Sequence, residues 1–151
     1  MSNQKEINGK KRAILVDWLV SVHDQFQLEP ETLFLTINII DRFVERAPVT
    51  MNDLQLIGAA AMLIACKYEE IMSPEVCNKY SYKKKVEDFS IITDDSCSVD
   101  EILEMEAKIL HILDFRLLHS SPLKFFERFS IIKMLSPYQY YFGTRIFFIK
   151  K

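Results

Sequence analysis

Between Leu54 and Cys66 the chain reads LQLIGAAAMLIAC, in which Gln55 is the single polar side chain. At about 100° of rotation per residue, such a helix is apolar on every side until Lys67, and it is stable only when other helices surround it. The wider stretch from Met51 to Met72 is therefore expected to be the hub of a helical bundle. Gly58, Ala59, Ala60, Ala61 and Ala65 let its neighbours approach closely.

Three glycines and five prolines punctuate the 151 residues, and helical periods fill the spaces between them. A first helix runs from Lys10 to about Gln27, with Ala13, Leu15, Val16, Leu19, Val20, Val22 and Phe26 on its apolar arc. Pro30 permits a new start, and a second helix spans about Glu31 to Ala47, its stripe formed by Leu33, Phe34, Ile37, Ile40 and Val44. Beyond Pro74 the pattern weakens, leaving a short fourth helix near Val86 to Ile92. Ser98 and Glu101 match a capping box that opens a fifth helix reaching about Leu113. The expected fold class is all-α: a five-helix unit built around its central apolar helix, then one or two further helices opened by Pro122 and Pro137. RIFFIK, near the end, can be read as helix or strand.

A chain with 49% hydrophobic residues, 26% charged residues and a net charge of −2 reads as an ordinary globular protein with one core. That balance argues against a nucleic-acid binder driven by bulk charge, and Lys83, Lys84 and Lys85 read as a solvated loop. No apolar run reaches membrane-spanning length, and MSNQKEINGKK lacks a signal-peptide core, so an intracellular protein with no membrane partner is expected. Cys66, Cys77 and Cys97 are odd in number and never spaced C-x-x-C; the histidines show no metal-ligand spacing. With no P-loop or hydrolase elbow either, no catalytic residue, metal or cofactor is expected, and an independent enzyme is disfavoured.

Several charges sit where grease belongs. Arg12 lies near the middle of the first helix's apolar arc, so it either pairs with an acid on a neighbouring helix or snorkels to solvent. Asp41, on the apolar side of the second helix, is the candidate partner. Lys67 and Glu106 are likewise inside apolar faces. Either they bridge within the fold, or both reach a surface that another molecule covers. Glu69 and Glu70 favour the second possibility, because acids in a helix's last turn oppose its dipole and call for a positive partner. Ile14 and Trp18, one turn apart at the margin of the first helix, form a docking groove or lie under a loop or the N-terminal tail.

The blocks KRAILVDWLVSVH, ETLFLTINIIDRF, LQLIGAAAMLIACKYEEIMSPEV and ITDD followed by ILEMEAKIL resemble the cyclin box of mitotic, A/B-type cyclins. The resemblance divides the chain into a tail over 1–9, a cyclin box over 10–121 with an insertion at about 76–85, and an incomplete second cyclin fold over 122–151. It implies a five-helix cyclin fold that binds and activates a cyclin-dependent protein kinase, in nucleus and cytoplasm. By the same resemblance Lys67, Tyr68, Glu69, Glu70 and Glu106 contact the kinase, and Arg12 with Asp41 is a structural pair. Ile14, Leu15, Trp18 and Gln55 take the positions of a patch recruiting R-x-L substrates and inhibitors. That patch normally opens with methionine, where this chain has Lys11, and a nearby acidic position is Ser21, so R-x-L recruitment is expected to be weaker or altered. Two other readings keep the fold: a decoy that occupies a kinase without activating it, and a cyclin-like transcription-factor or adaptor module.

Overall fold

The computed structural model describes residues 9–70, 82–94 and 96–117, with isolated positions at 125, 128 and 129. Five helices run in order: α1 (Gly9–Phe26), α2 (Pro30–Arg46), α3 (Leu54–Glu69), α4 (Tyr82–Ile92) and α5 (Val99–Ile112). No strand occurs among the described residues. The chain divides into two units, Met1–Leu117 and Leu118–Lys151, and all five helices belong to the first. The expected helices after Pro122 lie almost wholly outside the described residues, as do most of the N-terminal tail and positions 76–81 of the expected insertion.

α3 touches each of the other four helices, as its all-round apolarity requires. Ile57 and the run from Gly58 to Cys66 are buried. Its first turn begins later than the pattern suggested, because Thr50 donates its hydroxyl to Asp53 Oδ2 at 2.8 Å and holds residues 51–53 in a turn. α2 also buries a wider arc than a single stripe. Leu35, Ile39 and Phe43 are deep in the core, whereas Phe34 and Ile37 are only half-buried. The cause is that α2 packs against α1, α3 and α5 together. Its buried hydroxyls stay satisfied: Thr36 donates to the Thr32 carbonyl at 2.7 Å.

α1 buries Leu15, Val16, Leu19 and Val22, while Ala13, expected on the same arc, is exposed. Phe26 meets Phe89 of α4 edge-on, with ring centroids 5.2 Å apart. The helix ends in a Schellman arrangement, with Gln27 at φ 53° and the Leu28 N–H donating to the His23 carbonyl at 3.2 Å. α4 starts at Tyr82, inside the stretch read as an insertion, rather than at Val86.

The capping box is present as the spacing predicts. Ser98 N–H donates to Glu101 Oε2 at 2.8 Å, and Glu101 N–H donates to Ser98 Oγ at 3.3 Å. The bond from the Ser98 backbone, with that from its hydroxyl, holds the Glu101 carboxyl below the usual carboxylate range. Past α5 the chain turns through two left-handed residues, Asp114 at φ 51° and Phe115 at φ 56°.

Candidate protein-binding surfaces

The end of α3 and the middle of α5 bring Lys67 and Glu106 together. Lys67 Nζ donates to Glu106 Oε1, so the two bridge as the first sequence reading expects, with Lys67 itself open to solvent. The physical reason is burial: Glu106 is only 8% exposed, among Ile102, Met105 and Ile109 on the same helix, and a carboxylate there needs a cation. The pair nevertheless sits at an edge. Tyr68 is exposed and Glu69 half-buried, while Leu103 and Leu110, one turn before and after Glu106, remain partly open to solvent. Phe115, just beyond α5, is 70% exposed. Sequence reasoning passed over Leu103 and Phe115. The signal for Leu103 was available, since it is an aliphatic residue lying off the apolar stripe of its own helix.

Glu70 has a different setting from its neighbours. Its Oε1 accepts the Glu29 N–H at 2.9 Å and the Thr32 hydroxyl at 2.7 Å, both at the start of α2. The positive partner that an acid at the end of α3 calls for is thus the N-terminus of another helix.

Ile14, Leu15 and Trp18 of α1 and Gln55 of α3 all line one groove of about 320 Å³, completed by Lys11, Met51 and Leu54. Ile14 is 72% exposed at its rim. Gly58 lets α1 and α3 meet closely here: a Cβ at that position would lie 3.0 Å from Leu15 Cδ1 and 3.2 Å from Trp18 Cζ3. The Gln55 side-chain oxygen accepts from the Ser96 hydroxyl at 3.4 Å, tying the groove's far end to the turn before α5. Met51, read from the sequence as the start of the hub helix and not as a groove residue, lies instead in the turn before α3. It brings a flexible apolar side chain to a groove whose first α1 residue is Lys11. Ser21 does not line the groove; its hydroxyl donates to the Asp17 carbonyl at 3.2 Å.

Arg12 and Asp41 form a two-pronged pair, Nε to Oδ1 at 2.8 Å and Nη2 to Oδ2 at 2.9 Å. The hydrogen bond to Asp41 raises the guanidinium pKa further, against the opposing effect of burial. This joins α1 to α2 and decides the choice between pairing and snorkelling. Among the described residues, no group of three or more His, Cys, Asp or Glu side chains is arranged to hold a metal ion. No described helix is long and apolar enough to cross a membrane.

Comparison with known proteins gives the chain's family. The cyclin N-terminal domain family matches residues 1–118. Cyclin-B2-1 of Oryza sativa subsp. japonica is 48% identical over 129 residues, covering 85% of this chain and 28% of that protein. The G2/mitotic-specific cyclin-B of Dictyostelium discoideum is 43% identical over 130 residues, covering 86% of this chain and 28% of that protein. The G2/mitotic-specific cyclin cdc13 of Schizosaccharomyces pombe is 45% identical over 130 residues, and the chain spans 25% of its length. Among solved structures, a viral cyclin from herpesvirus saimiri superposes with a TM-score of 0.73 at 23% identity, covering 89% of this chain and 54% of that one; it shares the fold. The chain spans little more than a quarter of the length of the relatives it matches. On the family match over residues 1–118, the chain belongs to the cyclin family, and B-type mitotic cyclins are among the proteins it resembles.

Proposed function

We propose that this chain is a regulatory partner that binds and activates a cyclin-dependent Ser/Thr protein kinase in cell-cycle control. What carries the reading is the Lys67–Glu106 pair, a buried charge held at an edge beside exposed Tyr68 and partly open Leu103 and Leu110. This edge docks against the kinase's mobile regulatory helix and favours the inward position, in which the helix's glutamate pairs with the ATP-site lysine. The chain contributes binding energy and no catalytic group. Residence in nucleus and cytoplasm, without nucleic-acid or membrane partners, belongs to the same proposal. Capture of a purified cyclin-dependent kinase by the immobilised chain tests it: retention is expected, and a kinase that washes through would contradict it.

The groove on α1 and α3 serves, in this proposal, to hold substrates or inhibitors bearing an R-x-L-type segment. Its described lining contains Lys11 and no carboxylate, so it discriminates poorly in favour of the segment's arginine. Trp18 supplies the largest ring of the lining, and truncating such a residue in a docking site costs about ten-fold or more in affinity. Trp18→Ala is expected to lose binding of a fluorescent R-x-L peptide to that extent while leaving kinase capture intact. Equal peptide binding by both proteins would contradict the assignment of the groove.

A further inference from the structure

The start of α2 lacks a cap of its own. Glu29, at its N-cap position, makes no side-chain capping bond, and Pro30 has no N–H to satisfy. The cap comes instead from Glu70, whose carboxylate takes the Glu29 N–H and the Thr32 hydroxyl on one oxygen. Thr32 is fully buried at 0% exposure, so this anchor reaches into the core. Glu70 is also where α3 ends: its N–H still donates to the Cys66 carbonyl at 3.1 Å, while its ψ of 83° takes the chain out of the helix. The three residues just before it are Lys67, Tyr68 and Glu69. On the other side of the junction, His23 at the end of α1 donates its Nε2–H to the Glu29 carbonyl at 3.0 Å.

We infer that Glu70 is a positioning residue for the kinase-facing end of α3, acting as the remote N-cap of α2 rather than through its charge on a partner. The inference rests on the kinase-binding proposal above and reassigns one residue within it. A helix's last turn frays when its end is not held. Pinning Glu70 to buried Thr32 and the Glu29 N–H at the start of α2 holds the turn that carries Lys67 and Tyr68. The rival role, a direct contact between the Glu70 carboxylate and a cation of the kinase, depends on its charge. The cap depends only on an acceptor oxygen in that place.

Glutamine supplies that oxygen without the charge, so Glu70→Gln and Glu70→Ala separate the two roles. Each variant is titrated with a purified cyclin-dependent kinase, and amide exchange at Glu29 is followed by NMR. Glu70→Gln is expected to keep kinase affinity within about two-fold and to retain Glu29 protection. Glu70→Ala loses that protection and weakens binding about five-fold, the factor that corresponds to a lost cap. Thr32→Val, which leaves the carboxylate in place and alters a residue no partner can touch, is expected to weaken binding in the same direction. Equal losses for Glu70→Gln and Glu70→Ala, with Thr32→Val binding like the unaltered chain, would overturn the inference and leave the kinase reading standing. No binding by the unaltered chain would overturn both, and Glu29 exchange would still report whether the cap exists.

Discussion

A Lys67→Met, Glu106→Leu double variant is expected to melt within about 3 °C of the unaltered chain, because apolar residues of similar volume replace, at little net cost, an ion pair whose carboxylate is buried. Its affinity for a cyclin-dependent kinase is expected to fall at least about ten-fold, since a desolvated polar anchor of the proposed interface is gone. Lys67→Met alone behaves differently. It leaves the Glu106 carboxylate buried at 8% exposure without the ammonium that neutralises it. Breaking a fully buried pair costs about 3–5 kcal/mol; with Lys67 partly open to water, about 2 kcal/mol is expected. The melting temperature should then drop by about 8 °C. Thermal melts and kinase titrations on the single and double variants separate stability from binding. A double variant that binds normally would remove Lys67 and Glu106 from the interface.

The second large effect is at Arg12. Its fork meets both oxygens of Asp41 and ties the groove-bearing helix α1 to α2. Arg12→Ala leaves a half-buried carboxylate facing no fork, and about 2–3 kcal/mol is expected to be lost in urea unfolding. Arg12→Lys recovers only part of this, because a single ammonium cannot reproduce two parallel bonds at fixed spacing. Arg12→Met with Asp41→Leu is expected to regain most of the loss. Ile14, Leu15 and Trp18 follow Arg12 on the same helix, so R-x-L peptide binding should weaken in Arg12→Ala and recover in the double variant. Unchanged urea midpoints for Arg12→Ala would show that the pair is a solvated contact of little consequence.

What could be read in the sequence was what a local pattern encodes. The hub helix, the capping box at Ser98 and Glu101, and the groove residues Ile14 and Trp18 follow from periodicity and spacing. Misplaced charge was informative in part: Arg12 pointed to Asp41, whereas Lys67 and Glu106 left a bridge and a covered surface both open, with Glu69 and Glu70 favouring the second. Other features depend on partners far along the chain and have no local signature. Glu70 signalled only that an acid stood at the wrong end of a helix, and its partners are the start of a helix 41 and 38 positions earlier. Met51 reads as the first residue of the hub helix but enters the groove from the turn that Thr50 and Asp53 hold. The extra burial of Leu35, Ile39 and Phe43 reflects three neighbouring helices packing on α2, a number its own sequence does not announce.

The central claim is that this chain moves a kinase toward its active arrangement by binding it. Histone phosphorylation by a purified cyclin-dependent kinase, measured as the chain is titrated in, tests that claim most directly. The rate is expected to rise steeply and saturate with the chain's concentration, and the Lys67→Met, Glu106→Leu variant should shift the curve to at least about ten-fold higher concentration. A rate that stays at the level of the kinase alone while the chain is demonstrably bound would contradict activation and make the chain a competitor for the kinase instead.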